Sequence, residues 1–331
     1  MREFYAIYRC NLGSFTDFAF RELNPGEQMD DNWHIRWNAD LLQRSYTGWL
    51  PELPKRWIFN LPPNSLKTHI CSISFPAWVL GRDPRKSVLI VSETPDQALE
   101  IRERCAELMS SKRYRALFPR ARIVRMGRDL ELNYGGRIRH GGVGYSLPPR
   151  KSDLVIIDNP QSLHSLGRIE PARFTEIGRT LRDPNEGMIV MATRRLGEND
   201  LSAYLASQRG WGRIEMPVVA MKEFEWPSLI SESVIQRKGE PLQYWRDGWD
   251  EIEDQIRDLG GEDFSWQYMQ GLFRPQTTGE RNSHTDEKGW QWKMVGKFDP
   301  TWVTLEDFAP IRAEYEEKYD PIKNRPQPVP Q

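Results

Sequence analysis

A lysine–threonine pair stands where a phosphate-binding loop would place it. The apolar run 57–61 has the composition of a buried strand, and a Pro-Pro turn follows it. Lys67 and Thr68 come next, ahead of an amphipathic segment, which is the strand, turn and helix order of a P-loop. In that loop the lysine reaches the β- and γ-phosphates and the hydroxyl holds Mg²⁺. The residue before the lysine is normally glycine, but here it is Leu66.

A carboxylate at the end of another apolar run adds to this interpretation. Asp158 closes the run 153–158, and an acid directly after a buried strand is the Walker B arrangement that orients Mg²⁺. Each feature has an ordinary alternative: a surface Lys-Thr pair at a strand-to-helix junction, and a strand-ending turn at Asp158-Asn159-Pro160. Together and in this order, the two favour binding of ATP and Mg²⁺, with Thr68 and Asp158 as metal ligands.

Thr193, Arg194 and Arg195 follow a third apolar run, 187–193. One interpretation is a sensor segment in which the threonine lies near the γ-phosphate and the arginine couples hydrolysis to movement. The alternative is a helix start with Thr193 as N-cap and the basic side chains in solvent.

The formal net charge is −1, so any nucleic-acid surface must be local. One segment is strongly basic, and a charge-rich solvated face is the alternative to contact with DNA or RNA phosphates. Its basic residues are Lys112, Arg113, Arg115, Arg120, Arg122, Arg125, Arg128, Arg137, Arg139, Arg150 and Lys151.

The elements that must position these residues follow from hydrophobic patterning. Runs 87–93, 153–159 and 187–193 lack polar alternation, as expected of strands buried on both faces, and 95–109 has helical spacing. We therefore predict an α/β fold of the P-loop NTPase-like (ASCE) class, a mostly parallel sheet flanked by helices, with a small helical lid. The predicted divisions are an N-terminal helical segment (1–50), the ATPase core (51–220), a Trp-rich lid (221–310) and a disordered Pro-rich tail (311–331).

Composition excludes several classes of protein. The 331 residues include three widely spaced cysteines and five scattered histidines, without a metal-ligand pattern or a disulfide framework. No run approaches 18 apolar residues and the first residues lack a signal-peptide layout, so we expect an intracellular protein with no membrane partner.

This ordered series of motifs resembles the ATPase part of the large subunit of tailed-phage terminases, the motors that package DNA into proheads. The family runs L-P-P-R-x-G-K-S, F-P-A-W, Y-x-x-L-F-P, I-I-D-D-P and T-R-W-H-x-x-D-L. The matching residues are 61–68, 75–78, Gly81, Pro84, Tyr114, Leu117, Phe118, Pro119, 152–160, Thr193, Arg194, Asp200 and Leu201, with Trp33-His34-Ile35, Met216-Pro217, Trp226-Pro227 and Tyr268-Met269-Gln270 in the family's order.

Three departures from the family bear on chemistry. If the loop needs φ > 0 at Leu66, a non-glycine residue costs about 1–2 kcal/mol there. Asn64 stands where relatives have arginine, so one cation is lost. Asn159 replaces the acid that orients or deprotonates the attacking water, and an amide is not a base at neutral pH. These changes leave nucleotide binding in place and argue against efficient hydrolysis.

The resemblance implies roles for particular residues. Lys67, Asp158 and Asn159 would form the catalytic set, and Arg179 or Arg182 would act in trans on a neighbour's nucleotide. The nucleotide would be bound by Pro63, Asn64, Ser65, Leu66, Lys67, Thr68, Thr193 and Arg194.

The implied partners are double-stranded DNA, a homo-oligomeric ring, a phage portal and a terminase small subunit, in the host cytoplasm and transiently on the prohead. The chain after Pro275 is too short for a nuclease domain, so a separate nuclease chain is expected. The alternative function is a terminase-like scaffold that binds DNA or partners without turnover. A helicase-like ATPase is a third possibility, against which the absence of helicase motifs argues.

Overall fold

The computed structural model describes residues 2–30, 32–147, 151–167, 172–227, 233–243, 246, 248–271 and 305–319. The helices are α1 (Arg2–Cys10), α2 (Leu12–Leu23), α3 (Trp33–Thr47), a π-helix (His69–Ser74), α4 (Phe75–Arg82), α5 (Pro95–Ser110), α6 (Lys112–Leu117), a 3-10 turn (Leu163–Ser165), α7 (Ala172–Arg179), α8 (Leu201–Ala206), α9 (Trp249–Leu259), α10 (Gly261–Gln267) and α11 (Leu305–Lys318). The strands are β1 (Arg56–Asn60), β2 (Ser87–Ser92), β3 (Ile123–Met126), β4 (Leu130–Leu132), β5 (Arg137–Gly142), β6 (Leu154–Asp158), β7 (Met188–Thr193), β8 (Trp211–Glu215), β9 (Phe224–Trp226) and β10 (Val234–Gln236).

Eight strands form one sheet in the order β3-β4-β5-β2-β6-β7-β1-β8. Pairing is parallel from β5 across to β8, and antiparallel for β3-β4 and β4-β5. Strand β7 lies between β1, which leads into the lysine–threonine loop, and β6, which ends in the acid; this insertion defines the ASCE class. The predicted α/β fold with a mostly parallel sheet is therefore confirmed.

Each face of the sheet carries its own hydrophobic core. Because strand side chains alternate, Trp57 and Phe59 join one core while Ile58 joins the other. Helices α2 to α5 and the π-helix cover the first core, and α7 and α8 contribute to the second. This layering brings the carboxyl ends of β1, β7, β6 and β2 to one edge, where ligands bind in open α/β sheets.

The N-terminal helices share the first core with the sheet. Leu12 and Phe15 of α2 and Ile35 of α3 are buried there, and the Trp57 indole donates to the Ser45 hydroxyl across 2.9 Å. Within the described residues of 1–50, the three helices α1, α2 and α3 pack as one layer of the core. Its division from the core at residue 50 stays a prediction.

The C-terminal part, which we call the appendage (described residues 218–271 and 305–319), has its own apolar cluster. Trp249, Ile256, Phe264 and Phe308 bring α9, α10 and α11 together, and β9 pairs with β10 in an antiparallel hairpin. The appendage was predicted to be helical, but it also contains this two-stranded hairpin. Among the described residues no helix is both long and apolar enough to cross a membrane.

The predicted disordered tail from residue 311 is wrong for 311–318. These residues belong to α11, and Ile311 and Tyr315 are buried in the apolar cluster of the appendage. Pro310 lies inside this helix and argues against a helix in the sequence, because proline removes a backbone donor and normally ends a helix.

Candidate functional site

The loop between β1 and the π-helix adopts the backbone that a glycine would normally supply. Asn64 and Leu66 have φ values of 61° and 60°, both in the left-handed region. Leu66 is half-buried and packs against the first core. The strained geometry expected from the missing glycine is therefore present, with a leucine occupying it.

This geometry predicts an inverted order of stabilities at position 66. Leu66→Ala loses packing and keeps the unfavourable φ, whereas Leu66→Gly loses packing and relieves the φ, which costs a non-glycine residue about 1–2 kcal/mol. In urea unfolding we expect the glycine variant to be the more stable by about 1 kcal/mol. The control is exposed Glu100 in α5, changed to alanine and to glycine. There the free energy of unfolding should be higher for the alanine variant by about 1 kcal/mol. A more stable alanine variant at 66 would contradict the strain.

Lys67 points into its own loop. Its ammonium donates to the Pro62 carbonyl across 3.1 Å, and the residue is only 6% exposed. Burial lowers the pKa of Lys67 to about 8; the negative charge of Asp158 opposes this, and Arg194 adds to it. At neutral pH the ammonium is still charged, so a buried cation lies at the centre of the loop, suited to an anionic ligand.

The carboxylate of Asp158 joins the end of β6 to the helix that follows the loop. Its Oδ1 accepts from the Thr68 hydroxyl at 3.1 Å and from the Asn159 amide at 2.9 Å. Its Oδ2 accepts from the Ser72 hydroxyl. Burial raises the pKa of Asp158, while the Ser72 hydrogen bond and the charge of Lys67 lower it.

Ser72 lies in the π-helix about one turn after Thr68, and both side chains reach Asp158. A hydroxyl and a carboxylate in contact offer the hard oxygen ligands that Mg²⁺ prefers, and Mg²⁺ takes few protein ligands when phosphates supply the rest. Thr68 and Asp158 therefore fit a magnesium ion bound with a nucleotide. The described residues contain no cluster of three or more metal-ligating acids, histidines or cysteines.

Thr193 ends β7 beside Asn60 of β1, and the three residues 193–195 do not begin a helix. The helix-start alternative is wrong here, since α8 begins at Leu201 with Asp200 as its cap. The Thr193 hydroxyl donates to the Arg194 carbonyl at 3.1 Å. Within the described part of the chain, the buried Nε of Arg194 has no hydrogen-bond partner.

Arg195 is buried in a network that sequence analysis missed. Its guanidinium lies 2.9 Å from an Asp200 oxygen and 3.3 Å from a Glu215 oxygen. Its backbone N–H donates to the side-chain oxygen of Gln270 at 3.1 Å, and its guanidinium lies 5.3 Å from the centre of the Trp266 ring. The end of β7 is thereby bonded to the appendage.

A second missed residue is Arg246, whose guanidinium donates to the Asn64 carbonyl from the appendage. It puts a cation on the loop beside Asn64. From the other side of the loop, His34 Nε2 lies 3.2 Å from the Ser65 carbonyl oxygen, and burial lowers the pKa of His34 to about 4. No motif marks Arg246, because its partner is a backbone atom far away in the chain.

Arg182 is not part of this cluster. It precedes β7 at the opposite edge of the sheet, where its Nε lies 3.5 Å from an Asp153 oxygen, and Arg179 at the end of α7 is also exposed. Both are outside the site of their own chain, so a role in trans stays a prediction.

The basic segment is less uniform than its sequence indicates. Arg139 is buried and donates to Ser152, and Arg113 and Arg137 pair with Glu22 and Asp129. Arg150 lies outside the described residues. A smaller set, which we call the basic edge, is exposed at and beside strand β3: Arg120, Arg122, Arg125 and Arg128. Arg125 of this set is paired with Glu131.

Comparison with solved structures finds several similar chains. The chain is structurally similar to phage large terminases. It covers 44% of the HK97 bacteriophage large terminase, over 62% of its own length (TM-score 0.46, 12% identity). It covers 95% of the large-terminase ATPase domain of a Thermus phage, over 70% of its own length (0.45, 16%).

A third similar structure is the large terminase of a thermophilic bacteriophage in complex with ADP. The chain covers 52% of it, over 69% of its own length (TM-score 0.45, 9% identity). The chain thus spans about half the length or less of the two whole large terminases. No family model and no curated protein sequence matches it.

Proposed function

We propose that this chain is a Mg²⁺-dependent ATPase that drives double-stranded DNA, as the ATP-hydrolysing unit of a viral packaging motor. The observation that carries the proposal is the contact between Thr68 and Asp158 beside the buried Lys67 ammonium. A cation for phosphates and two oxygen ligands for Mg²⁺ then meet at the carboxyl edge of a parallel sheet. The ordered motif series of the sequence supports packaging as the process that this ATPase serves.

In this function Lys67 would neutralise the β- and γ-phosphates, and Thr68 and Asp158 would hold Mg²⁺. The bound metal would draw charge from the phosphate oxygens as the γ-phosphoryl group is transferred. The unpartnered Nε of Arg194 would meet the anionic ligand, and Thr193 and Arg194 would pass the nucleotide state to the appendage.

DNA contact is proposed for the basic edge, where exposed guanidinium groups would bind phosphates without reading sequence. A ring of copies would let Arg179 or Arg182 reach a neighbour's nucleotide. A portal, a small subunit and a separate nuclease chain complete the proposed assembly, which acts in the host cytoplasm and on the prohead.

One observation favours a second candidate, a terminase-like scaffold that binds ATP or DNA without turnover. The side-chain amide of Asn159 donates to Asp158, so it is engaged with the metal ligand rather than directed at a water. Leu66 also holds a left-handed backbone that a glycine adopts without strain.

Phosphate release from Mg²⁺-ATP, measured with and without double-stranded DNA, separates the two candidates. We expect turnover that DNA stimulates, and we expect Lys67→Ala to abolish it, because the phosphates then lose their buried cation. Arg85→Ala, a change to an exposed residue at the far edge of the sheet, is the matched control and should leave turnover unchanged. An inactive parent chain that still binds ATP would favour the scaffold.

A further inference from the structure

Hydrolysis needs a group that takes a proton from water, and Asn159 does not provide one. Its amide is committed to Asp158, and an amide has no basic site at neutral pH. Asp158 itself is occupied by the hydroxyls of Thr68 and Ser72. An amide can position a water but cannot accept its proton, so a general base for this ATPase would be a carboxylate elsewhere at the carboxyl ends of these strands.

Two further carboxylates lie at, or directly after, the carboxyl ends of strands on that side of the sheet. Glu215, at the end of β8, is neutralised by Arg195 and Arg213, each at 3.3 Å. Glu93 directly follows β2, the neighbour of the Asp158 strand on the side away from β7. Its Oε1 accepts from the Ser162 hydroxyl at 2.7 Å, and among the described residues it has no cationic partner.

The strand register brings the ends of β2 and β6 side by side. The two strands are parallel, their last paired residues are Val91 and Ile157, and Glu93 and Asn159 each follow two residues later, just past the strand ends. Adjacent strands are about 4.8 Å apart, a distance that a glutamate side chain can span.

Ser162 fixes the carboxylate in place. It lies in the loop that follows Asp158, so its hydrogen bond to Glu93 joins the ends of β6 and β2. One carboxylate oxygen is thereby oriented and, among the described residues, the other accepts no protein hydrogen bond. An oriented, half-buried carboxylate with one open oxygen is suited to accept a proton from water.

We propose that Glu93 is the general base of this ATPase, taking the role that Asn159 has lost; this rests on the function proposed above. The water oxygen bonds to the γ-phosphorus while its proton passes to the Glu93 carboxylate. The bond from the γ-phosphorus to the β,γ-bridging oxygen breaks, and its electron pair leaves with ADP. Ser162 acts as a positioning residue that holds the carboxylate.

Glu93→Gln tests this role, because it keeps the shape and the acceptor for Ser162 while removing the base. We expect kcat to fall by about 100-fold or more, with the Kd for Mg²⁺-ATP changed less than about threefold. Ser162→Ala should lower kcat by less, because the base remains. Glu100→Gln, an exposed change one helical turn into α5, is the control and should have no effect.

A rescue variant distinguishes chemistry from structure. Asn159→Asp in the Glu93→Gln background returns a carboxylate to the adjacent strand end, and we expect it to recover at least tenfold in kcat. Glu93→Gln with kcat within threefold of an active parent would overturn the role of Glu93 alone. A parent without any DNA-stimulated turnover would overturn the proposed ATPase function, and this inference with it.

Discussion

Asp158→Asn should lower kcat for Mg²⁺-ATP hydrolysis by at least about 100-fold, equal to about 2.7 kcal/mol of transition-state stabilisation. The change removes the negative charge that would hold Mg²⁺ with Thr68. It should also abolish the tightening of ATP binding by Mg²⁺, measured as the Kd with and without the metal. The fold should tolerate it, because an amide avoids the cost of burying a carboxylate whose pKa is already raised by burial.

The matched control is Asp153, which lies just before the amino end of β6. Asp153→Asn changes an acid that pairs with Arg182 and Lys86 at the amino edge of the sheet, away from the loop. It should keep kcat within about twofold, a change of about 0.4 kcal/mol. Hydrolysis by Asp158→Asn at more than a tenth of the parent rate would mean that this carboxylate does not hold the metal.

Arg195→Ala should give the largest loss of stability. It leaves the buried carboxylate of Asp200 without its cation and Glu215 with Arg213 alone, and removing one partner of a buried ion pair costs about 3–5 kcal/mol. Urea denaturation followed by circular dichroism would measure this as a fall in the free energy of unfolding with an unchanged m-value. The ring contact with Trp266 would be lost as well.

An exposed ion pair provides the comparison for that experiment. Arg85→Ala removes a contact to Asp83 in which the arginine side chain is 74% exposed, and exposed pairs contribute about 0–1 kcal/mol. The contrast between the two variants isolates burial from charge. If the free energy of unfolding of Arg195→Ala lies within about 1 kcal/mol of the parent value, the network does not stabilise the fold.

Sequence analysis located the central strands because their chemistry is local. Strands β2, β6 and β7 are continuous apolar runs that parallel strands buried on both faces require, and all three lie within one residue of the predicted bounds. Lys67 and Thr68 were found because they follow the loop after β1, and Asp158 because it ends β6; parallel strands bring such positions to one side of the sheet. The structure brings these three together, while their roles stay predictions.

The rest of the site depends on contacts between distant segments. Arg195 looked like part of a solvated basic pair, because its acidic partners are five and twenty residues away. Arg246 and Glu93 carry no motif, since one bonds a backbone carbonyl and the other depends on strand order. The short strands β3 and β4 were missed because they have only four and three residues, and a charged residue, Arg125 or Glu131, interrupts the apolar residues of each.

The bond between Gln270 and the Arg195 backbone has a mechanical consequence. Gln270 is fully buried, and its amide is held by the Gln267 carbonyl at 2.7 Å, so it forms a stiff anchor rather than a loose tether. A tensile load applied to the appendage would reach the end of β7 through this anchor, next to Thr193. Force on the appendage would then change ligand binding at the phosphate loop, and ligand binding would change the force that the appendage transmits.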